Sequence, residues 1–312
     1  MSAAARPLWV GGPTALPLGV GVWAWGDTGY WGYGQEYGET EVAGAYEASR
    51  AAGLTLFDTA EVYGRGTSER LLGRLIRSET AGSDVVVATK FAALPWRVGR
   101  RGPLLDALQR SFDRLRMDRV ALYQIHFPPG PLPDRAWLAD LATAYERGLI
   151  GAIGVSNYNP RRMRAAHRVL AEHGVPLATN QVQYSLLARR PETTGLTEVC
   201  RELGVTIIAY SPLGQGLLTG KYTRENPPPG VRGLRFRGSA AKVAALVDQL
   251  AAVGAAHDRS PGQVALAWLV AKGAVPIPGA KTAQQATHNA GGVGWDLTAD
   301  EVAALDRAGR QP

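Results

Sequence analysis

Eight strand-length apolar runs, helix-period segments between them, and a spacing of about 27 to 35 residues between most of the later runs predict an α/β chain closed into a (β/α)8 barrel. The runs are LPLGVGV at 16–22, LTLF at 54–57, DVVVAT at 84–89, RVALYQI at 119–125, LIGAIGV at 149–155, PLATNQV at 176–182, GVTIIAY at 204–210 and GAVPIP at 273–278. Most are rich in Val, Ile and Leu with little alternation, the pattern of strands buried on both faces of a parallel sheet. Segments 39–53, 67–78, 102–116 and 159–174 carry the helical period. Thr67, Ser68 and Glu69 open one helix, Pro160 lies in the first turn of another, and Gly53, Gly174 and Gly204 close others.

An open doubly wound sheet is the alternative, but it uses fewer parallel strands and a glycine-rich phosphate turn. Gly19, Val20 and Gly21 do not supply that turn, because VWAWGDTGYWGYG follows them and no GxGxxG helix opening does. The interval from the seventh to the eighth run is about twice the others and holds SPLGQGLLTGKYTRENPPPGVRGLRFRGS, a Pro- and Gly-rich loop expected at the functional end of the strands. An N-terminal β-hairpin, this long loop after strand 7, and a single domain over residues 1–312 complete the expected TIM-barrel architecture.

The 312 residues are 46% hydrophobic and 20% charged, which fits a large globular core and excludes a disordered or fibrous chain. No apolar run reaches membrane-spanning length, and MSAAARPLWVGG lacks the parts of a signal peptide, so a soluble, cytoplasmic protein is expected. Cys200 is the single cysteine, which excludes an intrachain disulfide and a cysteine-cluster metal site; it is expected to be an inert thiol in a helix. The net charge of +7 favours anionic ligands, but the basic residues are scattered and no nucleic-acid-binding motif occurs. No nucleic-acid or membrane partner is expected, and the oligomeric state is left open.

A barrel gathers the residues at its strand ends around one mouth. Asp58, Lys90, His126, Ser156 with Asn157, Gln181, and Tyr210 with Ser211 therefore converge from strands two to seven. Taken singly, such residues are helix caps, solvated charges or turn partners; their convergence is what suggests a site. Asp58 and Lys90, from adjacent strands, can pair. Tyr63, five residues after Asp58, then meets an ammonium that favours phenolate, which is expected to lower its pKa and make it a better acid. His126 could orient a substrate carbonyl against the phenol. The chain has no GxSxG elbow, no HExxH or other metal-ligand spacing, and no paired strand-end carboxylates. A proton donor for C=O reduction needs a bound hydride source across the same face.

FDTAEVYG, VVATKF, LYQIHFP, IGVSNY, NQVQYS, AYSPLGQGLLTGKY and PIPGAKTAQQATHN occur in that order, and with them the chain resembles the aldo-keto reductases over nearly its whole length. LGVGVWAWGDTGYWGYG further resembles the branch containing plastid and bacterial reductases and plant pyridoxal reductases. The resemblance implies a TIM barrel that uses NADP(H) without metal to reduce small carbonyl substrates, with Asp58, Tyr63, Lys90 and His126 as catalytic set. It puts Ser156, Asn157 and Gln181 on the nicotinamide carboxamide and Tyr210 against the ring. Ser211, Pro212, Leu213, Gly214 and Gln215 would follow the pyrophosphate. Gly279, Lys281, Gln285 and Asn289 would surround the adenosine end, with Lys281 and Lys221 near the 2′-phosphate. A lysine is a good point-charge partner for phosphate, and Lys281 precedes a helix N-terminus. His288 departs from the family's frequent glutamate beside the adenine.

Trp23, Trp25, Tyr30, Trp31, Phe91 and Trp96 are expected to line the substrate pocket, Trp23 also touching the cofactor, and pyridoxal is a candidate by branch resemblance. Two other readings compete. One is a cofactor-binding regulatory partner resembling potassium-channel β subunits, which replace the histidine that this chain keeps as His126. The other is a Schiff-base lyase or isomerase acting through Lys90.

Overall fold

The computed structural model describes residues 4–79, 83–97, 99, 101–130, 132–228, 233, 236 and 238–310. Part of the long loop singled out in the sequence, residues 229–232, 234, 235 and 237, lies outside them. All eight expected strands form: β3 (Gly19–Gly21), β4 (Leu56–Asp58), β5 (Val86–Phe91), β6 (Leu122–Ile125), β7 (Ile153–Ser156), β8 (Leu177–Gln183), β9 (Thr206–Tyr210) and β10 (Val275–Ile277). They pair in parallel in chain order from β3 to β10. The ring closes through a parallel bridge between Gly21 and Gly279, with the Gly21 amide donating to the Pro278 carbonyl at 3.0 Å. A side chain at Gly21 would bring its Cβ to 2.9 Å from the Ile277 carbonyl oxygen, so glycine permits the closing approach.

Helices cover the outside. They are α1 (Glu39–Ala51), α2 (Thr67–Arg77), α3 (Pro103–Leu115), α4 (Arg135–Glu146), α5 (Pro160–Glu172), α6 (Arg190–Thr193), α7 (Leu196–Glu202), α8 (Ala240–Ala255), α9 (Pro261–Ala271), α10 (Ala283–Ala290) and α11 (Ala299–Arg310). Their ends follow local chemistry. Asn159 caps α5, its side chain accepting from the Arg162 amide at 2.9 Å, and Pro160 takes the first helical position. Gly53, Gly174 and Gly204 follow α1, α5 and α7 with left-handed φ of +78°, +69° and +67°. α2 opens at Thr67 with Ser68 and Glu69 in its first turn, as expected, and left-handed Gly66 precedes it without a side-chain cap.

The expected N-terminal hairpin is β1 (Arg6–Pro7) and β2 (Thr14–Ala15), paired antiparallel. Its Leu8, Trp9 and Ala15 join Leu56, Ala88, Leu122, Ala178, Ile208 and Ile277 in one apolar cluster, which forms a floor under the barrel. Strand side chains alternate faces, so Leu56 shares its face with Asp58, Ala88 with Lys90, Leu122 with Gln124, and Ile208 with Tyr210. The inner face thus changes within one strand from an apolar floor to a polar mouth.

Among the described residues, no helix is long and apolar enough to cross a membrane, and no group of three or more His, Cys, Asp or Glu residues could hold a metal. Cys200 lies buried in α7, and burial pushes its thiol up to about 12, so it stays protonated and inert.

Candidate active site

Asp58 ends β4 and Lys90 lies in β5, next to each other in the ring, and both are buried. The Lys90 ammonium donates to Asp58 Oδ1 at 2.5 Å, to the Thr59 carbonyl at 2.8 Å and to the Tyr63 hydroxyl at 3.2 Å. Asp58 Oδ2 accepts from Gln181 Nε2 at 2.8 Å and Gln124 Nε2 at 3.3 Å. A buried charge pair holds only when its remaining lone pairs and protons are satisfied, and these amides and the Thr59 carbonyl do that. Burial alone depresses the Lys90 ammonium, but Asp58 and Tyr63 together outweigh it and hold Lys90 above its ordinary value. A lysine kept charged is a poor amine nucleophile, which speaks against Schiff-base chemistry.

Tyr63 opens a 3₁₀ turn (Tyr63–Gly66) after β4, where Arg65 takes a left-handed φ of +54°. The ring keeps some surface at the mouth while the hydroxyl lies beside Lys90. The expected lowering of its pKa does not occur. Burial pushes the phenol up; the Lys90 charge opposes this, as the sequence suggests, but does not overcome it. His126, just past β6, stands edge-on to Tyr63 with ring centroids 5.5 Å apart and stacks on Phe127 at 4.4 Å. Burial, and then the Lys90 charge, drive its imidazole down to about 2, so it is neutral. Its Nδ1 is buried without a hydrogen-bond partner. Asp58, Tyr63, Lys90 and His126 therefore form one connected group at the mouth.

The other expected residues surround this group. Asn157, at a left-handed φ of +62°, accepts from the Tyr210 hydroxyl at 3.1 Å and donates to Ser156 Oγ at 3.0 Å. Ser156 Oγ donates to the Gln181 carbonyl at 2.8 Å. Segment 211–216 turns back on itself, with positive φ at Ser211, Gly214, Gln215 and Gly216, a geometry that makes anion-binding concavities. The Lys221 ammonium lies over the Tyr222 ring. Gln285 accepts from the Lys281 amide at 2.8 Å, and buried Asn289 donates to the Gly279 carbonyl at 3.2 Å.

The family-model match, to the Aldo/keto reductase family, spans residues 17–310. The chloroplastic pyridoxal reductase of Arabidopsis thaliana is 41% identical over 313 residues, covering 96% of this chain and 85% of that protein. The chain belongs to the aldo/keto reductase family. It is an oxidoreductase acting on carbonyl groups. The glycerol dehydrogenase of Gluconobacter oxydans matches with a TM-score of 0.83 and 26% identity, over 98% of this chain and 94% of that one. An aldo/keto reductase of Klebsiella pneumoniae, solved with NADP and acetate, matches with a TM-score of 0.76 and 26% identity, over 99% and 96% of the two chains.

In this aldo/keto reductase the expected aromatic pocket is only partly formed. Trp23 is 38% exposed, stacks on Tyr30 at 5.3 Å and lies 6.1 Å from the Tyr63 ring, and Trp31 meets it edge-on. Trp25 does not line the pocket: it is fully buried, with Nε1 donating to the Ala280 carbonyl at 2.8 Å. Phe91 is also core, packed edge-on against Trp137 and covered by the Arg97 guanidinium. Trp96 is 69% exposed and takes no part in the rings around Tyr63. Aromatic residues near a strand end are more often buried by neighbouring helices than left for a ligand.

Gln181, assigned from sequence to a nicotinamide carboxamide, also donates from Nε2 to Asp58 Oδ2 and so orients it. His288, which stands where the family often has glutamate, meets the Ser260 hydroxyl through Nε2 at 2.8 Å at the start of α9. The sequence reading missed Gln124, Phe127 and Glu61. Gln124 was legible, being two positions before His126 on the same strand face. Glu61 accepts from the Ala92 amide at 2.6 Å and from Arg97 at 2.5 Å, clamping the turn that carries Tyr63 to the end of β5. Nothing local in FDTAEVYG signals that clamp.

Proposed function

We propose that this chain reduces aldehydes or ketones to alcohols with NADPH, Tyr63 giving the proton. The observation that carries the reading is the Lys90 ammonium bridging the Asp58 carboxylate and the Tyr63 hydroxyl. The nucleotide, when bound, supplies a hydride to the carbonyl carbon. Tyr63 holds its proton through the neutral range, as a phenol of ordinary value near 10 does, and burial pushes that value further up. Lys90 stabilises the phenolate left after transfer, and Asp58 keeps Lys90 charged and in place. Neutral His126 can donate one N–H to the carbonyl oxygen and so aim it at the phenol. In the oxidation direction the same phenolate takes the alcohol proton.

The residues fit a dinucleotide. Segment 211–216 offers an anion-binding turn, and Tyr210 offers a ring face beside Asn157. NADP-bound relatives of the same fold support NADP(H). Among carbonyls, flat aromatic aldehydes suit the stacked Trp23 and Tyr30, and the Arabidopsis relative's name adds pyridoxal as a first candidate.

The test is an NADPH titration followed by fluorescence, then a panel with pyridoxal and 4-nitrobenzaldehyde. Binding with turnover is expected. Binding without turnover of any aldehyde would move the reading to a cofactor-sensing partner protein, and absence of binding would overturn the cofactor.

A further inference from the structure

The loop between β3 and α1, residues 22–38, forms the aromatic wall of the pocket and also reaches the segments expected to hold the cofactor. The Tyr30 hydroxyl donates to Gln215 Oε1 at 3.0 Å, and Trp25 Nε1 donates to the Ala280 carbonyl. Lys281, assigned from sequence to the 2′-phosphate, points its ammonium into this loop. It donates to the Trp31 carbonyl at 2.7 Å and lies over the rings of Trp31 at 5.2 Å and Tyr37 at 4.5 Å. The Glu36 carboxylate stands 3.5 Å from the same ammonium.

These partners differ in how firmly they are held. Trp31 is fixed by its amide donating to Asp27 Oδ1 at 3.0 Å, and the Tyr37 hydroxyl donates to the Ala24 carbonyl. Both belong to the folded loop, so the Lys281 ammonium stays between them. Glu36 is 70% exposed at its side chain and can swing into water at little cost. A phosphate brought to Lys281 would have to share the ammonium with the Glu36 carboxylate 3.5 Å from it, and two anions cannot share that position without repulsion. A ribose 2′-hydroxyl carries no charge and leaves the pair undisturbed.

We propose that Glu36 is a cofactor-selectivity residue, competing with the 2′-phosphate of NADP(H) for Lys281 and narrowing the preference for NADP(H) over NAD(H). This rests on the NADP(H) reading of the site. Glu36 acts by occupying Lys281, and Lys281 with the Trp31 carbonyl and the two rings remains the phosphate-facing unit once Glu36 has moved aside.

The test measures dissociation constants for NADPH and NADH on the purified full chain by energy transfer from tryptophan, without any carbonyl substrate. Glu36→Gln is expected to tighten NADPH by about two- to fivefold at low salt, the range of an exposed ion pair, and to leave NADH unchanged. The gain should shrink as salt rises. Glu39→Gln, which removes the same charge nearby from a residue paired with Arg74, is expected to change neither. Lys281→Met should weaken NADPH and abolish the effect of Glu36→Gln. If Glu36→Gln leaves NADPH binding unchanged or weaker while the wild type binds it, the competition is overturned and the cofactor reading stands. Equal tightening by Glu39→Gln would reduce the effect to net charge and also overturn it. A wild type that binds neither nucleotide overturns both readings together.

Discussion

Tyr63 sits at the end of a chain of hydrogen bonds that starts with two glutamine amides and runs through Asp58 and Lys90. Removing the hydroxyl removes the proton but not the packing. Tyr63→Phe should therefore lower kcat for carbonyl reduction by roughly 10²- to 10⁴-fold, the range of general acid catalysis, with NADPH affinity unchanged. Steady-state kinetics beside a binding titration checks this, and a fully active variant would remove Tyr63 from the mechanism. His126 carries a second expectation. Its folded pKa of about 2 lies below the ordinary 6.5, so the unfolded chain binds this proton more readily. The resulting stability is fully present above pH 6.5 and is lost as pH falls from 6.5 toward 2, at about 1.4 kcal/mol per unit. His126→Asn should flatten that part of the acid unfolding profile, measured as denaturant midpoint against pH.

At the scale of elements, the mouth is positioned by close contacts between neighbours. α2 follows the Tyr63 turn and packs on α3 at Gly73, where an added Cβ would lie 2.2 Å from the Leu115 carbonyl oxygen. The obstacle is backbone, so α2 must shift to admit any side chain. Gly73→Ala should destabilise the chain by about 1–3 kcal/mol despite alanine's better helix propensity. Thermal unfolding by circular dichroism measures the loss, and a neutral or stabilising result would mean that α2 moves freely. The same helix holds buried Glu69, which accepts from Thr89 at 2.7 Å and from Arg114 at 2.5 Å, tying α2 to β5 and α3. Such ties connect the segment carrying Tyr63 to the strand carrying Lys90.

At the scale of the molecule, the hairpin and the active site occupy opposite ends of the barrel. Trp9 is 2% exposed in the floor cluster, whose Leu56 and Ala88 lie two positions before Asp58 and Lys90 on the same strand faces. Trp9→Ala should cost about 3–5 kcal/mol, the range for truncating a buried tryptophan, while kcat of the folded fraction stays unchanged. Loss of kcat in the folded protein would show that the floor supports the site directly. The larger apolar cluster runs from Leu18 to Leu305 and joins every barrel strand except β10 to the surrounding helices. We propose on that basis that residues 1–312 unfold as one domain, with near- and far-ultraviolet circular dichroism transitions coinciding.

The sequence by itself determined the eight strands, their parallel order and the meeting of Asp58, Tyr63, Lys90 and His126. It could do so because unbroken apolar runs and helical periods are local signals, and a barrel converts the position after each run into a place at one mouth. Tertiary structure alone decided what each group there faces. Trp25 and Phe91 read like pocket residues until neighbouring elements bury them, and the Tyr63 phenol rises because desolvation outweighs the lysine beside it. Lys281 and Glu36 lie far apart in the chain and meet only because the ring closes between Gly21 and Gly279. Burial and long-range partners are properties of the closed barrel, and no window of sequence contains them.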